Sequence, residues 1–238
     1  MARPGRPPQD PARHLERAHR ILDAAAELIL RWGYDKTTIE DVARAADVAK
    51  GTIYLHWRTR DALFGALLRR DRVRMVRQVR EAGPRTLPDL VGALAAALQD
   101  QPLTWAAMVG DSQVLGRLTR QKFEAEGPTE FATVFRRYLD ELAGLGAVRA
   151  DLGAEERPAL VMALLYGFLV PQAMRPEDQR LPDGRVTELI ADAAGRVLGT
   201  GAPPGPEVAE VTRAFLADLE EIACRRLAGS LGPDGRAL

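Results

Sequence analysis

Residues 38–57, TIEDVARAADVAKGTIYLHW, constrain the fold more than any other stretch of the chain. Val42, Ala46, Val48 and Ile53 are spaced to clamp two short helices across a tight turn at Ala46-Asp47-Val48. Ala43 is small where the two helices cross most closely. Thr38 and Asp41, three residues apart, predict a capping box at the start of the first helix, with Asp in place of the usual Glu. The other side chains are polar, basic or able to hydrogen-bond outward. A helix-turn-helix has this pattern, and its second helix enters the major groove with its first residues toward base edges. Those residues are Lys50, Gly51 and Thr52.

Each of the three suits that position. Lys50 reaches a phosphate or guanine O6/N7, Gly51 lets the backbone approach the groove, and Thr52 offers a hydroxyl and a methyl. Thr38, at a helix N-terminus, is a candidate phosphate contact through its hydroxyl and amide. The charge distribution agrees. Residues 1–80 hold 17 Lys/Arg against 10 Asp/Glu, a net +7, and the remainder carries −7, so the zero total conceals a basic first third. That asymmetry points to a polyanion met by the N-terminal part, the competing reading being a chance imbalance of surface charge.

Other classes find little support. There is no Gly-rich phosphate loop and no Ser/His/Asp set with a plausible base, and the three histidines all precede residue 57. His14 and His19 do not share a helix face, and nothing stands at ligand spacing from His56, so no metal and no cofactor is expected. The single cysteine, Cys224, excludes an intrachain disulfide and reads as a small, buried or half-buried residue. A redox role has only the adjacent Arg225 and Arg226 in its favour. No secretion signal is visible, and the longest apolar run, residues 161–170 before Pro171, is short of the ~20 residues that span a bilayer. A soluble, cytoplasmic protein without a membrane partner is the expectation.

The chain divides into a Pro/Arg-rich arm (1–14), a head (15–60), a connecting helix (61–83), a helical body (84–230) and a fraying tail (231–238). Ile21, Ala25, Leu28, Ile29 and Trp32 mark a first helix ended by Gly33. Further helices are expected near 87–100, from 102 to about 122, after Pro128, over 154–170 with Pro171 ending or kinking it, and over 184–198 and 206–228. No alternating strand pattern is present, and the fold class is all-α.

RILDAAAELILRWGYDKTT before the helix pair, the TIYLHW run that closes it and RTRDALFGALL after it resemble the tetracycline-repressor (TetR) family of bacterial transcription regulators, over about residues 15–70. The resemblance implies an N-terminal three-helix helix-turn-helix DNA-binding head and a C-terminal helical effector-binding and dimerisation domain. It implies a homodimer on a palindromic double-stranded operator, a repressor released by a small molecule. Tyr54 and His56 resemble the family's phosphate-contacting pair, and Arg60 a basic position that touches backbone. Trp57 replaces the usual Phe and is expected to pack inside; core packing is the competing reading for Tyr54 too. Asp47 stands where the family has Gly, and Ala49 where Ser is common, so the second helix should lack a side-chain cap worth about 1 kcal/mol. In the arm, Arg3 and Arg6 lie in a stretch resembling the Arg-Gly-Arg-Pro core that occupies narrow minor grooves; a generic basic tail is the alternative.

For the family's pocket, the candidates here are Trp105, Met108, Phe123, Phe131, Phe135, Tyr138, Met162 and Tyr166, for a largely apolar ligand, with Asp111, Gln113 and Arg117 as polar anchors. Ordinary core packing competes at each position. The helix over 155–170 is apolar nearly all round, which suits burial on two sides in a homodimer, and the helix over 206–228 is a second candidate for that interface. A DNA-binding regulator without an effector, a helical enzyme and a purely structural helical protein are the other readings.

Overall fold

The computed structural model of the chain describes residues 11–109, 114 and 130–231. Among them the chain forms ten α-helices and one short 3₁₀ turn, with no strand; Val148 and Gly199 make an isolated bridge. The expected all-α class is what forms.

The head holds α1 (Pro11–Trp32), α2 (Ile39–Ala45) and α3 (Lys50–His56). Ala18, Ile21, Leu22, Ala25 and Ile29 recur every three or four residues on α1 and are all buried. Gly33, at φ 80°, donates its N–H to the Ile29 carbonyl at 2.8 Å and ends the helix. α1 starts at Pro11, four residues before the expected Leu15. A proline at the first helical position has no N–H to leave unpaired. Arg3 and Arg6 lie outside the described residues.

α4 (Arg60–Glu81) is capped by the Thr59 hydroxyl, which accepts from the Ala62 N–H at 3.0 Å. Its 22 residues span about 33 Å. Leu63, Phe64 and Leu67, near its start, belong to the head core, and Val79, near its end, to the body core. Gly83, at φ 63°, turns the chain into the body: α5 (Leu87–Asp100), α6 (Pro102–Val109), α7 (Glu130–Gly144), α8 (Glu156–Met174), α9 (Asp183–Leu198) and α10 (Pro206–Ala228). At Gly92 of α5 a Cβ would come within 3.2 Å of the Ala191 Cβ, so the close approach of α5 and α9 uses the missing side chain.

Three features depart from the expected division. Leu103 and Ala106 of α6 are buried in the head core, so no clean boundary falls at residue 83. α10 runs back along α4: Arg77 and Arg80 pair with Glu220, and Ser230 just past its end accepts from the Trp57 indole at 2.8 Å. Ser230 and Leu231 are therefore docked on the head, although Leu231 is the first residue of the expected fraying tail; residues 232–238 lie outside the described residues. α8 passes through Pro171 to Met174. At 19 residues it is long and apolar enough, by length and composition alone, to cross a membrane, where the sequence run looked too short. In the fold it packs on α7 and α9 with Arg157 buried and paired to Asp140.

Candidate DNA-binding head and body cavity

α2 and α3 are held by the predicted clamp: Ile39, Val42, Ala43, Ala46 and Ile53 are buried, with Val48 packed against them. The Thr38–Asp41 capping box forms; Asp41 N–H reaches the Thr38 hydroxyl at 3.2 Å and Thr38 N–H the Asp41 carboxylate at 3.2 Å. Asp47 takes up φ 52°, the left-handed turn conformation, and the Val48 N–H bonds the Ala43 carbonyl at 2.9 Å. Ala49 is extended and supplies no side-chain cap to α3.

The outward face of α3 carries Lys50, Gly51, Tyr54 and Leu55, with Thr52 half-buried. A Cβ at Gly51 would meet nothing within 4 Å, so no neighbour within the protein requires glycine there. Tyr54 is 42% exposed and Leu55 46%. Leu55 was not singled out from the sequence; on a seven-residue helix, periodicity does not separate an outward Leu from a core one. Lys50 is engaged: its ammonium pairs with Glu40 on α2 and lies 5.9 Å from the Tyr54 ring centre. The hydrogen bond from Lys50 holds the Glu40 carboxyl below its usual range, and the Lys50 ammonium is raised in turn. Thr38 is exposed, but its hydroxyl also donates to Asp41 at 2.6 Å, and Glu40 and Asp41 already answer the α2 dipole.

Two predicted contact residues point elsewhere. His56 is fully buried and faces α1, stacked on His14 with ring centres 3.9 Å apart. Neither of its nitrogens has a partner among the described residues. Desolvation, then the positive charges of His14 and Arg17, lower its pKa to about 4. The expected phosphate contact at His56 is thus corrected: the α1 extension at His14 covers the ring. Arg60 is half-buried, stacked over Tyr34 at 4.1 Å and donating to the Thr37 carbonyl at 3.3 Å. The Tyr34 hydroxyl donates to Asp61, and desolvation and that bond push its pKa up to about 12. Trp57 is buried, as its substitution for Phe suggested.

A cavity of about 430 Å³ opens between α4, α5, α7, α8 and α10. Phe131, Phe135 and Met162 line it, with Val76, Leu98, Leu165 and Phe215 among the apolar walls. Tyr138 does not: it is buried behind the wall, stacked on Phe215 with its hydroxyl 3.1 Å from that of Thr212. Trp105 and Tyr166 face each other at 6.1 Å outside the lining. Met108's side chain, Phe123, Asp111, Gln113 and Arg117 lie outside the described residues. Thr104, Arg72, Arg136 and Glu155 are lining residues the sequence did not single out. A buried Arg70 ties the connecting helix to the head, donating from α4 to the α1 residues Asp23 at 2.7 Å and His19 carbonyl at 3.1 Å.

A helix-turn-helix with an outward-facing second helix, carried on a helical body with its own apolar cavity, defines a DNA-binding regulator. The family profile described as "Bacterial regulatory proteins, tetR family" matches residues 21–67. The HTH-type transcriptional repressor Rv1474c of Mycobacterium tuberculosis is 30% identical over 187 residues, 76% of this chain and 94% of that protein. The HTH-type transcriptional repressor Rv3405c of the same species is 26% identical over 77% of this chain and 89% of its own. Among solved structures, the transcriptional regulator FadR of Bacillus subtilis, in complex with stearoyl-CoA, superposes with a TM-score of 0.57 at 16% identity, covering 78% of this chain and 99% of that one. The chain belongs to the TetR family and is a DNA-binding transcriptional regulator.

Proposed function

We propose that the protein is a cytoplasmic homodimeric repressor that leaves a palindromic operator when a largely apolar small molecule fills the body cavity, acting by binding and not by catalysis. The observation that carries this reading is α4. Its first half is part of the head core, and Arg72, Met75 and Val76 of its second half line the cavity. A ligand that tilts α4 changes the separation of two heads, which must be about 34–36 Å apart to enter successive major grooves. A 100-fold preference for the mis-spaced state is about 2.7 kcal/mol of coupling, and it is reciprocal. FadR, similar in fold, is itself a transcriptional regulator in complex with a small molecule, stearoyl-CoA, which is in keeping with this reading.

Lys50, Gly51, Thr52 and Tyr54 form the groove-facing surface, with Thr38 at its edge. α8 supplies the dimer face: Ala159, Ala163 and Gly167 are exposed along one line, flanked by the half-buried Leu160, Leu164 and Phe168, which lets two copies approach closely. Titrating the effector with and without operator DNA tests the coupling; equal affinities in the two titrations refute it. Lys50→Ala and Tyr54→Ala should each weaken operator binding with the melting temperature unchanged, and unaltered affinity in both would remove the recognition-face assignment.

A further inference from the structure

We propose that α3 reads a thymine through a notch at Gly51, walled by Tyr54 and Leu55, which seats the C5-methyl group of the base. This deepens the reading of α3 as the groove-facing helix and rests on it. Successive residues of a helix are turned by about 100°. Counted from Lys50, the arc that faces away from the head core runs through Tyr54 at about 40°, Gly51 at about 100° and Leu55 at about 140°. Ile53 and His56, at about 300° and 240°, face the core and are buried. Gly51 is the centre of the outward arc, with one large side chain on either side of it.

Nothing within the protein calls for glycine at this centre. A Cβ there would meet nothing within 4 Å, and the backbone is not in the left-handed region. Glycine weakens a helix relative to alanine, so the local structure gains nothing from it. What the missing side chain leaves is an open floor of backbone on the side that DNA occupies. Tyr54 and Leu55 are both exposed beside it, so both walls keep apolar surface within its reach. The Lys50 ammonium pairs with Glu40 and lies 5.9 Å from the Tyr54 ring centre, which puts that charge on the flank of Tyr54 away from Leu55.

In the major groove the C5-methyl of thymine is the apolar group that base edges present. Guanine, adenine and cytosine offer hydrogen-bonding atoms there, which a leucine wall does not answer. A cytosine in the same place would leave the notch unfilled. Thr52, half-buried at about 200°, carries the other methyl that α3 could bring to a base, on the opposite side of Leu55 from Gly51.

The test selects duplexes from a randomised library with the full-length protein. Each thymine of the selected duplex is then replaced, one at a time, by deoxyuridine, which lacks only the C5-methyl. At one thymine the replacement should weaken binding about fourfold, the worth of one buried methyl group. Leu55→Ala and Gly51→Ala should each bring that ratio close to one, the first by removing a wall and the second by filling the notch. Both should fold as the wild type does, because Leu55 is exposed and Gly51 has open space around it. Thr52→Ser loses the other methyl and should leave the ratio at about four. A ratio that survives in both Leu55→Ala and Gly51→Ala, or that Thr52→Ser alone abolishes, overturns the notch. So does a selected duplex whose every thymine is replaceable without loss while Lys50→Ala still weakens binding; the recognition face then stands and the methyl contact falls. If Lys50→Ala, Tyr54→Ala and Leu55→Ala all bind as the wild type does, the recognition face itself falls and takes the notch with it.

Discussion

The hydrogen bond from Trp57 to Ser230 links the residue after the recognition helix to the end of the last helix, 173 positions away in sequence. Trp57→Phe keeps an aromatic ring at this buried position, removes the N–H, and leaves a small cavity where the larger indole stood. A hydrogen bond of this kind contributes about 1 kcal/mol net, and for a chain of this size 1 kcal/mol is roughly 2–4 °C in melting temperature. Ending the chain after Ala228 removes the acceptor and also Leu231, which packs partly buried on the head core, so that loss should be larger, about 2 kcal/mol. The decisive comparison is the double variant. If both changes act through the same contact, Trp57→Phe should cost about 1 kcal/mol less in the shortened chain than in the full one, the cavity cost being common to both. Thermal melts supply the four stabilities, and hydrogen exchange of the α3 amides should rise in all three variants. Additive losses, or α3 amides as protected as in the wild type, would refute the idea that α10 steadies the recognition helix.

Glu40→Gln should release Lys50, tightening binding to all DNA sequences alike and steepening the log affinity–log salt slope by about one unit per subunit; filter binding over a salt series that shows an unchanged slope excludes it. His56 has a folded pKa of about 4, below the ~6.5 of the unfolded chain. The unfolded state therefore takes up a proton first as pH falls, so stability is full above about 6.5 and is lost between 6.5 and 4, by about 3 kcal/mol. His56→Phe should flatten denaturant midpoints across that window, and an unaltered slope counts against it. Ala49→Ser should add a cap to α3 worth about 1 kcal/mol, read as slower exchange of its first amides; exchange at the wild-type rate would show that the serine does not cap.

What the sequence displayed and what it withheld divide along range. The capping box at Thr38–Asp41, the left-handed Asp47 and the uncapped Ala49 depend on neighbours within a few residues, and all were readable. His56 was misplaced because its partner, His14, stands on a stretch whose prolines suggested an unstructured arm. Nothing in a seven-residue helix says which side another helix will cover. Tyr138, Phe131 and Phe135 look alike as aromatics at helical spacing, yet the first bonds Thr212 behind the wall and the others line the space. Thr104, Arg72, Arg136 and Glu155 come to the cavity from four separate stretches of the chain, a convergence that no local pattern displays.

The placement of Leu103 and Ala106 bears on how this regulator is put to use. Both are 2% exposed, sealed into the core of α1–α4 from the far side of the connecting segment. A fragment cut after Gly83 would bare the apolar seat they fill and lose the anchor of Trp57 as well. The operator-reading part is therefore not a portable cassette. Chimaeras that graft it onto a foreign sensor need α6 and the end of α10 carried along, or a redesigned underside in their place.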